Sequence, residues 1–335
     1  MSSPVAIDLY PGTGLGLADA RQVAVDAEQA GFEGLWTLEA GSEPFLPLAL
    51  AAEHTTRLRL GTAVAVALVR NPMVTAHLAH ELNRYAAGRL TLGLGTKVGA
   101  HVTQRFGEPF NRPAERMREY LAALRAIWAC WNDGAALDFR GQFYRHTLMT
   151  PAFRPGPSEY GPPPVHLAAV GPLMCQVAAE NADGLIAHPL SSARVLREVL
   201  RPRVAAPAAA RFEVSCPVMV ITGTDDESTE AARSAVRQQI AFYASTPAYR
   251  DVLALYGLGD LAGRLRLMSR AGQWEQMGEL IDDGLLAEFS VEAAPQAVAA
   301  EIRRRYDGLL DRALLYQPYP SPPGLWCNVQ LHSEH

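Results

Sequence analysis

Short apolar strands alternate with amphipathic helices along most of the chain, a pattern typical of a parallel β-sheet covered by helices. Eight such strands with intervening helices predict a (β/α)8 barrel, although an open doubly wound sheet would show the same local pattern. The predicted strands are 5–10, 34–38, 58–66, 90–94, 165–169, 184–187, 214–222 and 312–316.

Capping residues predict where several helices begin and end. The first helix is expected to begin at Asp19 as its N-cap and to end at Gly31 as its C-cap. Pro72 is expected in the first turn of the third helix, where its missing N–H is tolerated. The other predicted helices are 47–54, 113–131, 172–181 and 192–201.

Two segments interrupt the alternation. Residues 133–164 contain a predicted hairpin at 138–144 and a proline-rich return, and residues 225–283 form a long helical stretch. We interpret residues 1–335 as a single barrel domain with insertions after strand 4 and between strands 7 and 8. A proline-rich, irregular tail is expected at 318–335.

Composition narrows the classes of partner. The 49% apolar content allows a large core, and a net charge of −5 with scattered charges argues against nucleic acid or an anionic membrane. Without an N-terminal signal or a long apolar run, a cytoplasmic protein with a small-molecule substrate is expected. The four cysteines form no CxxC pair, so no metal is predicted, and Lys97 is the only lysine.

Functional residues of a parallel barrel follow the strands at their C-terminal ends. Gly93-Leu94-Gly95 fails the dinucleotide fingerprint because Val98 stands where the third glycine belongs. Its small residues instead allow a planar ligand to approach the backbone. After strand 5, the Gly171-Pro172 turn opens a helix whose N-terminus suits a phosphate, or it is a plain strand-to-helix turn.

Two ionisable side chains are candidates for proton transfer. Glu39 ends strand 2 beside Trp36, where burial would favour its protonated form, or it accepts hydrogen bonds as a carboxylate. His101 follows strand 4 and could donate a hydrogen bond to a ligand. His77 and His80 share one helix but match no zinc-protease spacing, so solvated or capping histidines are expected.

Several ordered motifs together resemble the luciferase-like monooxygenase superfamily, in its branch of F420-dependent oxidoreductases. The resemblance runs from strand 1 through strand 6 and returns weakly at 304–308. The matching stretches are 27–36, 60–64, 70–72, 88–96, 105–107, 168–172 and 182–185.

The resemblance implies a (β/α)8 barrel, usually dimeric, with the deazaflavin coenzyme F420 or alternatively FMN at the strand ends. It also implies a non-proline cis peptide at Ala63–Val64. By position, the implied cofactor contacts are Glu39, Ala63, Val64, Val66, Thr96, Lys97, His101, Val170, Gly171, Leu173 and Met174.

Departures from the family pattern shape the expected chemistry. Ala40 stands where luciferase and the sugar-phosphate dehydrogenases carry histidine, and Val98 where the dehydrogenases carry glutamate. The resemblance therefore implies hydride transfer from reduced deazaflavin to a C=C or C=N bond of a small organic substrate. Glu39, His101, a tyrosine or water would supply the proton. The alternatives are an FMN-dependent monooxygenase and a non-catalytic flavin-binding relative.

Overall fold

Eight parallel strands pair edge to edge and close on themselves in a computed structural model that describes residues 4–12, 14–204, 212–321, 325–326 and 331. Each strand pairs with the next, and the last returns to the first, so the predicted (β/α)8 barrel is confirmed. The strands are β1 (Ala6–Pro11), β2 (Gly34–Thr37), β3 (Arg59–Thr62), β4 (Leu90–Gly95), β5 (Val165–Ala168), β6 (Gly184–Ile186), β7 (Glu213–Ile221) and β8 (Arg312–Gln317).

Helices surround the barrel close to their predicted positions. One start was wrong: α1 has Gly16 as its N-cap, and Asp19 lies inside the first turn. Gly31 ends α1 at φ 87°, as its predicted role as C-cap requires. The helices up to β7 are α1 (Leu17–Ala30), α2 (Leu46–His54), α3 (Pro72–Tyr85), α4 (Pro113–Asn132), α5 (Pro172–Asn181) and a helical segment α6 at 193–203 whose middle, Leu196–Leu200, is π-helical.

Strand 3 is not continuous from 58 to 66 as predicted. β3 ends at Thr62, the Ala63–Val64 peptide is cis at the implied position, and Ala65–Val66 pair separately with the end of β4. The backbones meet closely here, because a Cβ on Gly93 would lie 1.7 Å from the carbonyl oxygen of Thr62. Glycine at 93 thus lets β3 end against β4. The chain then turns at the C-terminal ends of the strands, the end of the barrel that we call its mouth.

The segment after α4 packs against α3 and shields part of that helix from solvent. It contains an antiparallel hairpin, Phe139–Arg140 with Arg145–His146. His80 is buried, with its Nε2 3.2 Å from the carbonyl oxygen of Gly156, and its ring contacts Trp131. The expectation of a solvated or capping histidine was therefore wrong for His80, whose pKa is lowered by burial.

The helical stretch between β7 and β8 is a series of helices, not one. A short strand, Ser290–Glu292, and the last helix were not predicted. Most of the predicted tail at 318–335 lies outside the described residues. The helices are α7 (Asp226–Ala244), α8 (Arg250–Ala254), α9 (Gly259–Arg270), α10 (Trp274–Met277), α11 (Asp283–Phe289) and α12 (Val298–Tyr306).

Charged side chains fill the N-terminal end of the barrel. Arg312 donates two hydrogen bonds to the buried carboxylate of Asp8, at 2.7 and 2.6 Å. The indole N–H of Trp36 donates to the same carboxylate at 2.8 Å. The Trp36 ring lies over Gly61, where a Cβ would be 2.3 Å from the ring, and closes the barrel below its mouth.

Candidate functional site

Glu39 holds the segment that follows β3. Its Oε2 accepts hydrogen bonds from the backbone N–H of Val66 at 2.7 Å and from the Arg70 guanidinium at 2.6 Å. Its own backbone N–H donates to the carbonyl oxygen of Val64 at 3.3 Å. Glu39 is buried, and its carboxylate forms an ion pair with the Arg70 guanidinium.

Small side chains form a smooth rim beside this ion pair. A Cβ on Gly95 would lie 2.6 Å from Val64 Cγ2 and 3.3 Å from the Cβ of Ala168. The ends of β4 and β5 therefore meet the Ala63–Val64 turn with no bulky side chain between them. Such a surface fits the flat face of a flavin-type ring, which needs close approach to the backbone.

The N-terminus of α5 opens toward a cavity of about 250 Å³ whose lining includes Val170, Gly171 and His188. Gly171 is exposed, and a Cβ placed on it would meet no atom within 4 Å. The guanidinium of Arg203 donates to the carbonyl oxygen of Val170 at 3.0 Å and brings a positive charge to this helix end. Free N–H groups and a cation suit a phosphate.

Lys97 extends from the end of β4 into the mouth. Its backbone has a φ of 58°, and its side chain is half-buried. Burial lowers the pKa of Lys97, the charge of Glu39 raises it, and Arg105 lowers it further. The charge of Lys97 also lowers the pKa of His188, which lies just after β6. The ammonium therefore lies within electrostatic reach of the ends of both β2 and β6.

His188 lies in an aromatic wall. Its ring stacks on Tyr249 with centroids 3.8 Å apart and meets the edge of Tyr243 at 4.6 Å. The backbone N–H of Leu190 donates to Nδ1 at 3.2 Å. Burial, with the charge of Lys97, lowers the pKa of His188 to about 3. The imidazole is therefore neutral, with its proton on Nε2.

A second group of tyrosines continues the wall. The Tyr10 hydroxyl donates to the carbonyl oxygen of Ala63 at 2.8 Å, and the Tyr243 and Tyr316 hydroxyls are 3.0 Å apart. Burial raises the pKa of all three phenols, so they stay protonated. They can donate hydrogen bonds but do not act as bases near neutral pH.

The residues predicted for the site do not all come together. Glu39, Ala63, Val64 and Val66 are joined by direct contacts or chain continuity, and Val170 and Gly171 line the adjoining cavity. His101 begins an exposed π-helical turn, His101–Arg105. The remaining positions are Thr96, just after β4, whose hydroxyl donates to the carbonyl oxygen of Lys97, and exposed Leu173 and half-buried Met174 in the first turn of α5.

Sequence reasoning found only part of the aromatic wall. His188 comes two residues after the end of β6, and the rule that selects residues after strands does point to it. Tyr243 and Tyr249 come from the helical segment after β7 instead. Only the folded chain shows that this segment places two tyrosines against His188.

Comparison with known proteins agrees with this geometry. The family model described as luciferase-like monooxygenase matches residues 1–312. The chain belongs to the luciferase-like monooxygenase family. An uncharacterized protein of Mycobacterium tuberculosis is 51% identical over 304 residues, which cover 89% of both chains.

Two further proteins that are similar to this chain bear names that mention their chemistry. A 5,10-methylenetetrahydromethanopterin reductase of Archaeoglobus fulgidus is 27% identical over 288 residues, 82% of each chain. The coenzyme F420-dependent tetrahydromethanopterin reductase of Methanopyrus kandleri superposes with a TM-score of 0.73 at 19% identity, over 94% of this chain and 93% of that one. Relatives of this chain thus include F420-dependent oxidoreductases.

Among the described residues of this family member, every helix is too short or too polar to span a membrane. The same part of the chain holds no group of three or more histidine, cysteine, aspartate or glutamate side chains arranged to bind a metal ion.

Proposed function

We propose that this protein is a coenzyme F420-dependent oxidoreductase that transfers hydride from the reduced deazaflavin to a C=C or C=N bond of a small organic substrate. The observation that carries the proposal is the smooth rim formed by Val64, Gly95 and Ala168, next to an open helix N-terminus. The deazaflavin supplies two electrons as a hydride when bound. We also expect a homodimer located in the cytoplasm.

The parts of the mouth would hold different parts of the cofactor. The rim would bind the ring, and the backbone N–H groups of Gly171, Leu173 and Met174 would bind phosphate. Pro172 contributes no N–H there. Glu39 would act by holding Val66 and Arg70 in place beneath the ring.

The acid–base groups favour hydride addition to a double bond over alcohol oxidation. Ala40 and Val98 cannot accept a proton, His188 is held neutral, and Glu39 is already bound to Arg70. A site without a free strong base is suited to adding a hydride to an activated double bond. An FMN-dependent monooxygenase is the second candidate, supported by the description of the matched family.

Fluorescence titration of the purified protein with F420 and with FMN tests the cofactor assignment. We expect saturable F420 binding and much weaker FMN binding. Gly171→Asp should weaken F420 binding by about tenfold or more, because a carboxylate would face the phosphate. Gly156→Asp is the matched control, since a Cβ there also meets no atom within 4 Å but lies on the α3 side of the barrel.

The opposite binding preference would refute the assignment. Tight FMN binding without F420 binding, together with substrate oxygenation by reduced FMN and O2, would establish the monooxygenase. Tight F420 binding without turnover of any acceptor would instead indicate a non-catalytic relative.

A further inference from the structure

Charged side chains at the mouth bond to other groups of the fold, with one exception. Arg70 binds Glu39, Glu43 accepts the backbone N–H groups of Phe45 and Leu46, and Arg105 donates to the carbonyl oxygen of Ala40. Among the described residues, the Lys97 ammonium has no hydrogen bond and no ion pair within 4 Å. This ammonium is therefore available to a ligand.

The surroundings of Lys97 define what such a ligand would look like. Lys97 follows β4 and His188 follows β6, so both lie at the C-terminal end of the barrel, where His188 forms the aromatic wall with Tyr243 and Tyr249. A ligand between Lys97 and this wall would meet flat aromatic surfaces and one positive charge. A planar apolar molecule with an electronegative oxygen matches both features, whereas a cationic molecule would be repelled.

We propose that the substrate is an α,β-unsaturated carbonyl compound and that Lys97 binds its carbonyl oxygen. The inference rests on the proposed function and selects C=C reduction from the two reactions left open there. Lys97 would act as a catalytic residue, because the negative charge that forms on the oxygen during hydride addition is stabilised by the nearby ammonium.

The bond changes balance. A hydride from the reduced deazaflavin forms a new C–H bond at the β-carbon, and the C=C electron pair moves to make an enolate with its charge on oxygen. A proton from the ammonium or from water then adds at the α-carbon, and the saturated carbonyl compound leaves with the oxidised cofactor. An iminium substrate would place its positive charge near Lys97 before any hydride arrives, so it would bind poorly.

A phenolate mimics the enolate and needs no cofactor turnover. Binding of 4-nitrophenol is followed by the absorbance of its yellow phenolate. We expect the wild-type protein to bind the phenolate and to lower the apparent pKa of the phenol. Lys97→Met should weaken binding by about tenfold or more, and Lys97→Arg should retain part of it. F420 titration of each variant checks that the mouth remains folded.

The single lysine permits a direct measurement on the same group. Reductive methylation with 13C-formaldehyde labels Lys97 and the N-terminal amine, and Lys97→Arg identifies the lysine signal. We expect the Lys97 resonance to titrate below the ordinary lysine range, as its burial predicts, and to shift when nitrophenolate is added. A resonance that does not respond to nitrophenolate would refute the proposal.

Activity distinguishes this inference from the cofactor assignment. Reduced F420 should be oxidised by cyclohexenone much faster than by a cyclic iminium salt, and Lys97→Met should remove most of that preference. If F420 binds but the iminium is the better acceptor, the substrate inference is wrong and the cofactor assignment stands. If F420 does not bind at all, the proposed function itself fails. Borohydride trapping of substrate on Lys97 would also contradict a hydrogen-bonding role.

Discussion

Glu39 joins the end of β2 to residues 64–70, and its contribution can be tested against that of the neighbouring acid Glu43. In Glu39→Gln the amide oxygen can still accept from Val66, but the ion pair with Arg70 is lost. We expect turnover with reduced F420 to fall by about tenfold or more, while the Kd for F420 changes by only about threefold.

Glu43 offers the matched control. It lies 3.7 Å from Arg70 and is much more exposed than Glu39, so Glu43→Gln should leave turnover almost unchanged. Stopped-flow oxidation of reduced F420, together with fluorescence titration, measures both quantities. A wild-type rate in Glu39→Gln would remove Glu39 from the functional residues.

His166 is buried inside the barrel and should make stability depend on pH. Burial, with the charges of Arg59 and Arg312, lowers its pKa from 6.5 to about 3. The unfolded chain therefore binds a proton first as the pH falls. The stability from this group is complete above pH 6.5 and is lost progressively toward pH 3.

Urea unfolding at two pH values tests this effect. Between pH 7 and pH 4.5, we expect His166 to account for about 2–3 kcal/mol of lost stability. His166→Gln lowers stability at pH 7 but should show a smaller loss on acidification. An unchanged pH slope in the variant would mean that other groups control acid unfolding.

At the scale of elements, α3 has a defined start that can be tested. The side chain of Asn71 accepts a hydrogen bond from the backbone N–H of Met73 at 2.9 Å, and Pro72 occupies the first helical position. Asn71→Ala should reduce the free energy of unfolding by about 1 kcal/mol, and Asn71→Ser should restore most of it. A loss of equal size in both variants would show that capping is not the cause.

The bounds of an element could be predicted well from the sequence where neighbouring residues determine them. α5 was predicted at its observed bounds because Pro172 at its start and the strand before it mark its beginning. Strand 3 was predicted too long because Ala63, Val64 and Ala65 continue an apolar run. Only the contact of Gly93 with Thr62 shows where the strand ends, and that contact depends on a distant part of the chain.

The candidate site could likewise be predicted only where local pattern determines it. The rule for strand ends located Glu39, Gly95 and Gly171, because each follows or ends a strand that could be recognised from periodicity. The exposure of His101 and the pairing of Glu39 with Arg70 depend on how loops pack. Loop packing has no sequence period, so these features could not be predicted.

For the whole molecule, the buried ion pairs and the proposed ligand site lie at opposite ends of the barrel. The ligand-binding residues proposed here follow the C-terminal ends of the strands, whereas Asp8, Arg59, Glu213 and Arg312 form ion pairs toward the N-terminal end. Arg312 begins the last strand and Asp8 lies in the first, so their pair joins the two strands that close the barrel. Changes there should affect folding more than ligand binding.

Removing Arg312 tests this division. Arg312→Met leaves the Asp8 carboxylate buried without its cation, which should cost about 3–5 kcal/mol of unfolding free energy in urea. Arg194→Met, in an exposed pair with Glu198, should cost less than about 1 kcal/mol. Adding Asp8→Asn to Arg312→Met should recover part of the loss, since no unpaired charge remains. If Arg312→Met and Arg194→Met cost the same, the closing ion pair does not stabilise the barrel.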